Sequence, residues 1–209
     1  MKIAVIGTGS VGGTLGTRWA TKGHRVVFGS RDPGSDKVRT LLEAAGTKAS
    51  AAQLADAVAA AEVVVLATPW NAAQSAIESL GDLSGKILVD AINPIGPGMQ
   101  LALGTTTSGA EQIAVWAKNA QVVKAFNTTG WENMANPIYH GEPITMFICG
   151  DDAEAKASVT RLAEDLGFAV ADTGPLTTAR FLEPLAMVWI HLAIVQKQGR
   201  NIAFKLVER

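Results

Sequence analysis

Three glycines in the stretch Gly7-Thr8-Gly9-Ser10-Val11-Gly12 stand in the G-x-G-x-x-G spacing. In a turn that carries a pyrophosphate each has its own task. The first permits the tight turn, the second lets backbone approach the phosphates, and the third lets the following helix pack closely on the strand. The helix start then offers free N–H groups and the positive end of its dipole to an anion. In a chain with 21 glycines the spacing alone says little. Its context says more, because an apolar strand precedes it, a helical stretch opens on it, and a second strand comes next. The alternative is a turn with no ligand.

The second strand ends in Gly29-Ser30-Arg31-Asp32-Pro33, where the adenosine ribose of a dinucleotide would sit. A carboxylate at that point accepts from the 2′-hydroxyl of NAD, whereas an arginine accommodates the 2′-phosphate of NADP. Ser30 offers a hydroxyl, Arg31 a planar guanidinium suited to phosphate, and Lys37 a further positive charge. Asp32, just before a proline, is read as shaping a turn with its side chain directed away from that of Arg31. The expected cofactor is therefore NADP(H); the alternative is that Arg31 is only a solvated surface charge.

No acid–base pair stands out beside this motif. His24 falls in a turn, His140 in a loop, and His191 in an apolar helix; Tyr139 is the only tyrosine. Cys149 in Phe147-Ile148-Cys149-Gly150 reads as a small core residue, and no His/Cys cluster has metal-ligand spacing. No catalytic side chain and no metal are expected. Hydride transfer between stacked rings needs neither, only reacting atoms about 3–3.5 Å apart and exclusion of water. A carbonyl or imine reductase, by contrast, needs a proton donor beside its substrate.

Stepping strands and helices must position these groups. Apolar runs at 2–7, 25–29, 62–68, 86–91 and 121–126 alternate with helical stretches at 10–22, 37–45, 71–80 and up to Lys118, the signature of parallel βαβ units. A weak strand is expected near 47–49, with Ser50 as N-cap of a helix to Ala60. Further strands at 144–150 and 168–174 flank a helix at 152–166. A nearly all-apolar helix over 175–195, bent near its start by Pro184, closes the chain. The fold class expected is α/β: a Rossmann-type, doubly wound, mainly parallel sheet with a small C-terminal α/β extension and a long closing helix. Residues 1–140 would form the NADP-binding domain, and 141–209 a smaller part completing the acceptor site.

Net charge is −1 without a basic run, which argues against a nucleic-acid surface. The longest apolar run, 185–195, falls short of the roughly 20 residues that span a bilayer. The opening "MKIAVIG" lacks signal-peptide design, and a single cysteine suits a reducing cytosol, so a cytoplasmic protein without a membrane partner is expected. The closing helix is too apolar to leave in water, which predicts a homodimer.

The segments "GTGSVGGTLG", "FGSRDP", "ATPW", "KILVDAINP", "VVKAFNT", "FICGDD" and "DTGPLTTAR" occur in the order seen in the F420-dependent NADP reductase family. The chain resembles the NADPH:F420 oxidoreductases of archaea and actinobacteria over essentially its whole length. It is also similar to the reductase domain of the six-transmembrane metalloreductases, which use NADPH and flavin. The resemblance implies hydride transfer between NADP(H) and coenzyme F420 or a flavin, FMN or FAD. It implies a pyrophosphate loop of Thr8, Gly9, Ser10 and Val11, with Ser30 and Arg31 on the 2′-phosphate. Ala67, Thr68, Pro69 and Trp70 after the fourth strand, and Ala91, Asn93 and Pro94 after the fifth, would flank the nicotinamide. Asn127, Thr128, Thr129, Gly130 and Trp131 would line the acceptor pocket, closed by the C-terminal segment around Ile202. Two features depart from the archaeal pattern: Ala72 where family members often carry histidine, and the loop after Asn93, closer to the metalloreductase type. Two other readings stay open, an NADPH-dependent imine or carbonyl reductase and a non-catalytic NADP(H) sensor.

Overall fold

The computed structural model describes Met1–Arg209. Runs such as Val63-Val64-Val65-Leu66 have apolar side chains on successive positions, so a strand made of them must be covered on both faces. That is what the chain builds. Strands β1 (Lys2–Ile6), β2 (Arg25–Gly29), β3 (Ala49–Ala52), β4 (Val63–Leu66), β5 (Ile87–Asp90) and β6 (Gln121–Lys124) pair in parallel. Helices α1 (Ser10–Thr21), α2 (Asp36–Ala45), α3 (Leu54–Ala59), α4 (Trp70–Glu78) and α5 (Gly109–Trp116) connect them.

The remaining chain adds α6 (Trp131–Ala135), a short hairpin of β7 (Ile138–Tyr139) and β8 (Glu142–Pro143), then β9 (Thr145–Gly150), α7 (Ala153–Asp165), β10 (Ala169–Asp172) and α8 (Ala179–Ile190). Strand β9 joins β6 antiparallel and β10 joins β9 in parallel, giving one eight-stranded sheet in the order β10-β9-β6-β5-β4-β1-β2-β3. Residues 141–209 thus extend the same sheet. The alternation of strand side chains sends Ile3 and Val5 into one core with Leu15, Trp19 and Val159, and Ala4 and Ile6 into another with Val58, Ile77, Ile113 and Leu182.

Two expectations are corrected, and one stretch gains elements that were not expected. Ser50 caps no helix; it lies in β3 opposite Val27, and α3 starts only at Leu54. The open edge of β2 gives residues 49–52 a full ladder, which outweighs the helical preference of their alanines. Helix α6 and the β7–β8 hairpin, unmarked in the sequence, fill the connection between β6 and β9. The closing helix is composite: a 3₁₀ turn at Leu176–Thr178, α8 with Pro184 inside it, and a π turn at His191–Val195.

Together these make a 20-residue segment, Leu176–Val195, long and apolar enough by length and composition to cross a membrane. In this fold Leu182, Glu183, Ala186 and Trp189 are buried against the rest of the chain. It is not buried all round, however: Phe181, Val188, Ile194 and Val195 are exposed.

Candidate active site

In an open parallel sheet the ligand crevice lies beyond the carboxyl ends of the strands, where the order reverses. Here that point is between β1 and β4, and the glycine turn stands at it. Gly7 adopts φ +110°, and a Cβ on it would lie 2.4 Å from the Ala67 carbonyl oxygen, so only glycine lets the turn nestle against the loop after β4. A Cβ on Gly12 would come within 1.9 Å of the Gly7 oxygen, which is why α1 can start so close to β1. Gly9 differs from both. A Cβ there would meet nothing within 4 Å, so the space its missing side chain leaves is open to a ligand. Gly9 is also the N-cap of α1 and supplies no side-chain cap, so the first N–H groups of the helix remain available.

Two adjoining cavities share this turn. The first, of about 670 Å³, is lined by Gly7, Thr8, Gly9, Gly29, Ser30, Arg31, Asp32, Lys37, Ala67, Thr68 and Pro69, with residues of α3 and α4. Neither Arg31 nor Lys37 takes part in any ion pair of the chain. Asp32 does shape a turn: its N–H donates to Ser30 Oγ, and its Oδ1 accepts from the Gly34 N–H at 3.2 Å. Two unpaired cations and a serine at the end of β2 fit a 2′-phosphate.

The second cavity, of about 1060 Å³, is lined by Gly9, Ser10, Val11, Ala67, Thr68, Pro69, Trp70, Asn71, Ala91, Ile92, Asn93, Ile95, Gly96, Pro97, Ala102, Trp131 and Arg200. Trp70 is backed by Trp116, with ring centroids 5.3 Å apart. Thr68 Oγ1, on the boundary of both cavities, is buried without any partner in the chain. A buried hydroxyl is costly to leave unpaired, and a nicotinamide dinucleotide laid along the turn would provide its partner. The residues present fit NADP(H).

The expected acceptor-lining segment behaves differently. Of residues 127–131 only Trp131 stands in the cavity wall. Asn127 and Thr128 are buried behind it. Asn127 instead braces Asn93: Asn93 Nδ2 donates to the Asn127 carbonyl at 2.9 Å, and Asn127 Nδ2 donates to Asn93 Oδ1 and the Leu182 carbonyl. Gly130 backs on Trp189, where a Cβ would lie 2.7 Å from the indole, and Thr129 accepts from Asn133 Nδ2. Ile202 is absent from the wall because its carbonyl anchors the tail, accepting from Trp189 Nε1 and Asn133 Nδ2. Pro94 packs against Gly109. The tail delivers Arg200 to the cavity in place of Ile202.

Beneath the floor lies a cluster missed from the sequence. Lys124, at the end of β6, donates through Nζ to Asp90 Oδ2 and Glu183 Oε1, each at 2.8 Å, and to the Ile92 carbonyl. Asp90 Oδ1 accepts from the Ile92 N–H, and Glu183 accepts from the Gly109 and Ala110 N–H groups at the start of α5. All three charged side chains are at most 1% exposed. Burial works against the Lys124 ammonium, but Asp90 and Glu183 outweigh it and hold its pKa above that of an ordinary lysine. The cluster fixes the Ala91–Asn93 loop and ties α8 and α5 to the sheet. A lysine inside the apolar run Val122-Val123-Lys124-Ala125-Phe126 was the available signal, since a buried charge demands partners.

No histidine enters either cavity. His24 pairs with Asp165 and the N-terminal amine, and His191 meets Gln196. Burial pushes the Cys149 thiol up to about 11, so it is no nucleophile near neutrality.

The comparisons with known proteins agree with this geometry. The family model described as "NADP oxidoreductase coenzyme F420-dependent" matches residues 2–94. The F420-dependent NADP reductase of Methanothermobacter thermautotrophicus is 31% identical over 99% of this chain and 94% of its own length. Metalloreductase STEAP3 of Rattus norvegicus is 35% identical over 89% of this chain, which spans only 36% of that protein. Among solved structures, a protein assigned as an F420-dependent NADP reductase from Arthrobacter sp. FB24 superposes with a TM-score of 0.90 at 38% identity, covering 100% of both chains. An imine reductase of Myxococcus stipitatus shares the fold, with a TM-score of 0.72 at 16% identity, over 94% of this chain and 63% of its own.

Proposed function

Because the chain belongs to the F420-dependent NADP reductase family, we propose that it passes a hydride between NADP(H) and a planar ring acceptor: coenzyme F420, or a flavin such as FMN or FAD. The chain is an NADP-dependent oxidoreductase with a Rossmann-type fold. One observation supports a ring as the acceptor. The cavity that would hold the two rings is walled by Trp70, Trp131, prolines, aliphatic side chains, the uncharged polar Ser10, Thr68, Asn71 and Asn93, and Arg200, and its lining includes no Asp, Glu, His, Cys, Tyr or Lys. A wall without a carboxylic acid, imidazole, thiol, phenol or ammonium suits hydride transfer between rings, and it offers a ketone or imine no ordinary general acid.

NADP(H) supplies the hydride chemistry, and the chain's part is placement. Gly7, Gly9, Gly12 and the start of α1 take the pyrophosphate, with Thr8, Ser10 and Val11 around it. Ser30, Arg31 and Lys37 take the 2′-phosphate. Ala67 to Trp70, Ala91 and Asn93 bound the nicotinamide, and Trp131 faces the acceptor. The test is a panel of acceptors with NADPH: F420, FMN, a cyclic imine and a ketone. Turnover is expected with the ring acceptors and is expected to survive replacement of His24, His140 and His191 by alanine. Turnover confined to the imine or ketone would favour the other enzyme reading, and binding of NADPH with no turnover would favour a sensor.

A cytoplasmic homodimer is part of the same proposal. Phe181, Val188, Ile194 and Val195 expose a run of large apolar side chains along one segment, a feature monomers seldom leave to water. Light scattering at micromolar concentration should give twice the 21.8 kDa chain mass; a single-chain mass would refute it.

A further inference from the structure

Arg200 is the one charged side chain in the wall of the larger cavity, and its carboxylate partner, Glu132, lies outside that wall. It comes from a tail with no regular secondary structure, yet the tail is fixed at several points. The Ile202 carbonyl is held by Trp189 and Asn133, the Phe204 carbonyl accepts from the Thr145 N–H, and the Leu206 N–H donates to Thr145 Oγ1. The guanidinium lies 5.4 Å from the Trp189 ring and gives its Nε–H to Glu132. Its two Nη groups have no hydrogen-bond partner in the chain, and the side chain is 40% exposed. A cation carried into an otherwise uncharged cavity, held from behind through its Nε–H and with both Nη groups unused, is placed for an anion.

Resting on the ring-acceptor reading above, we propose that Arg200 is the residue that binds the acceptor's pyrimidinedione edge and stabilises the charge that forms on it. The balance is simple. The C4–H bond of the dihydronicotinamide breaks with its electron pair, and a C–H bond forms at the central carbon of the deazaflavin. The pair displaced within that ring moves to the N1–C2=O unit, which becomes anionic, while the nicotinamide ring becomes cationic. No proton is needed until the reduced acceptor equilibrates with solvent. A guanidinium offers two parallel N–H bonds to such an edge, stronger when the edge is charged. It therefore favours the reduced acceptor over the oxidised one, and the transition state over the ground state.

The experiment compares the parent with Arg200→Gln and Arg200→Lys, after thermal melts establish that both are folded. NADPH affinity, the single-turnover rate of F420 reduction, and the affinities for oxidised and reduced F420 are measured for each. With Arg200→Gln the rate should fall about ten- to a hundredfold. The preference for reduced over oxidised F420 should fall by a similar factor, NADPH affinity should not change, and Arg200→Lys should recover part of both. An unchanged binding preference in Arg200→Gln overturns the assignment, whether the rate holds or falls, since a merely structural tail anchor would not discriminate the two redox forms. A parent that reduces neither F420 nor FMN overturns the ring-acceptor reading and this assignment with it.

Discussion

The two halves of the cleft are built on opposite plans. The phosphate side is a surface of short local segments: the 7–12 turn, and Ser30 to Lys37 beside it. Its cations Arg31 and Lys37 reach into solvent with no protein partner. The other side has a wall whose one charge is Arg200, and it is charged underneath, where Lys124, Asp90 and Glu183 pair with one another out of water. The first arrangement costs the fold little and keeps its charges free for a ligand. The second commits its charges to structure. Changes on the first side should therefore alter binding and leave stability alone, and changes beneath the second should do the reverse.

The largest effect is expected from Lys124→Met. It would leave two carboxylates buried with no counter-ion, and removing one partner of a buried pair costs about 3–5 kcal/mol. Urea unfolding should show a midpoint lowered accordingly, or no folded protein at all. A variant as stable as the parent would break the comparison, because the cluster would then be incidental to the fold.

Arg31→Ala should leave the urea midpoint where it was. A hydrogen bond to a charged group is worth about 1.5–3 kcal/mol, so NADPH affinity should fall about ten- to a hundredfold, with NADH barely affected. Equal losses for the two cofactors would remove Arg31 from the 2′-phosphate. The pair of variants separates the two sides most sharply when both are titrated and unfolded under the same conditions.

The same contrast decides what could be read from the sequence. That the glycine turn and Ser30-Arg31 stand together in one cavity is legible in the sequence because they follow two adjacent strands, and β2 spans the expected 25–29. The charge cluster was not, because its partners lie 34 and 59 residues away from Lys124 and only the sheet brings them together. Arg200 was illegible for a related reason. Nothing in Gly199-Arg200-Asn201-Ile202 marks an element, and its position depends on Trp189, Asn133 and Thr145 holding the tail. Of the segment 127–131, expected to line the acceptor pocket, only Trp131 reaches the cavity wall, because Trp189 fills the space behind Gly130. Ser50 was misplaced because the edge of β2, and not the local alanine content, decides what residues 49–52 become.

The proposed reaction is direct hydride transfer, without a protein acid, across the half of the cleft walled by Trp70 and Trp131. Deuterium placed on the transferred position of NADPH C4 tests it most directly. The labelled cofactor is mixed with F420 in ordinary water, and the reduced product is examined by mass spectrometry and NMR. F420 should be reduced, and each reduced molecule should carry one deuterium beside the original hydrogen on the central ring carbon. Reduction of neither F420 nor FMN, or reduced F420 lacking the label at that carbon, would contradict direct transfer.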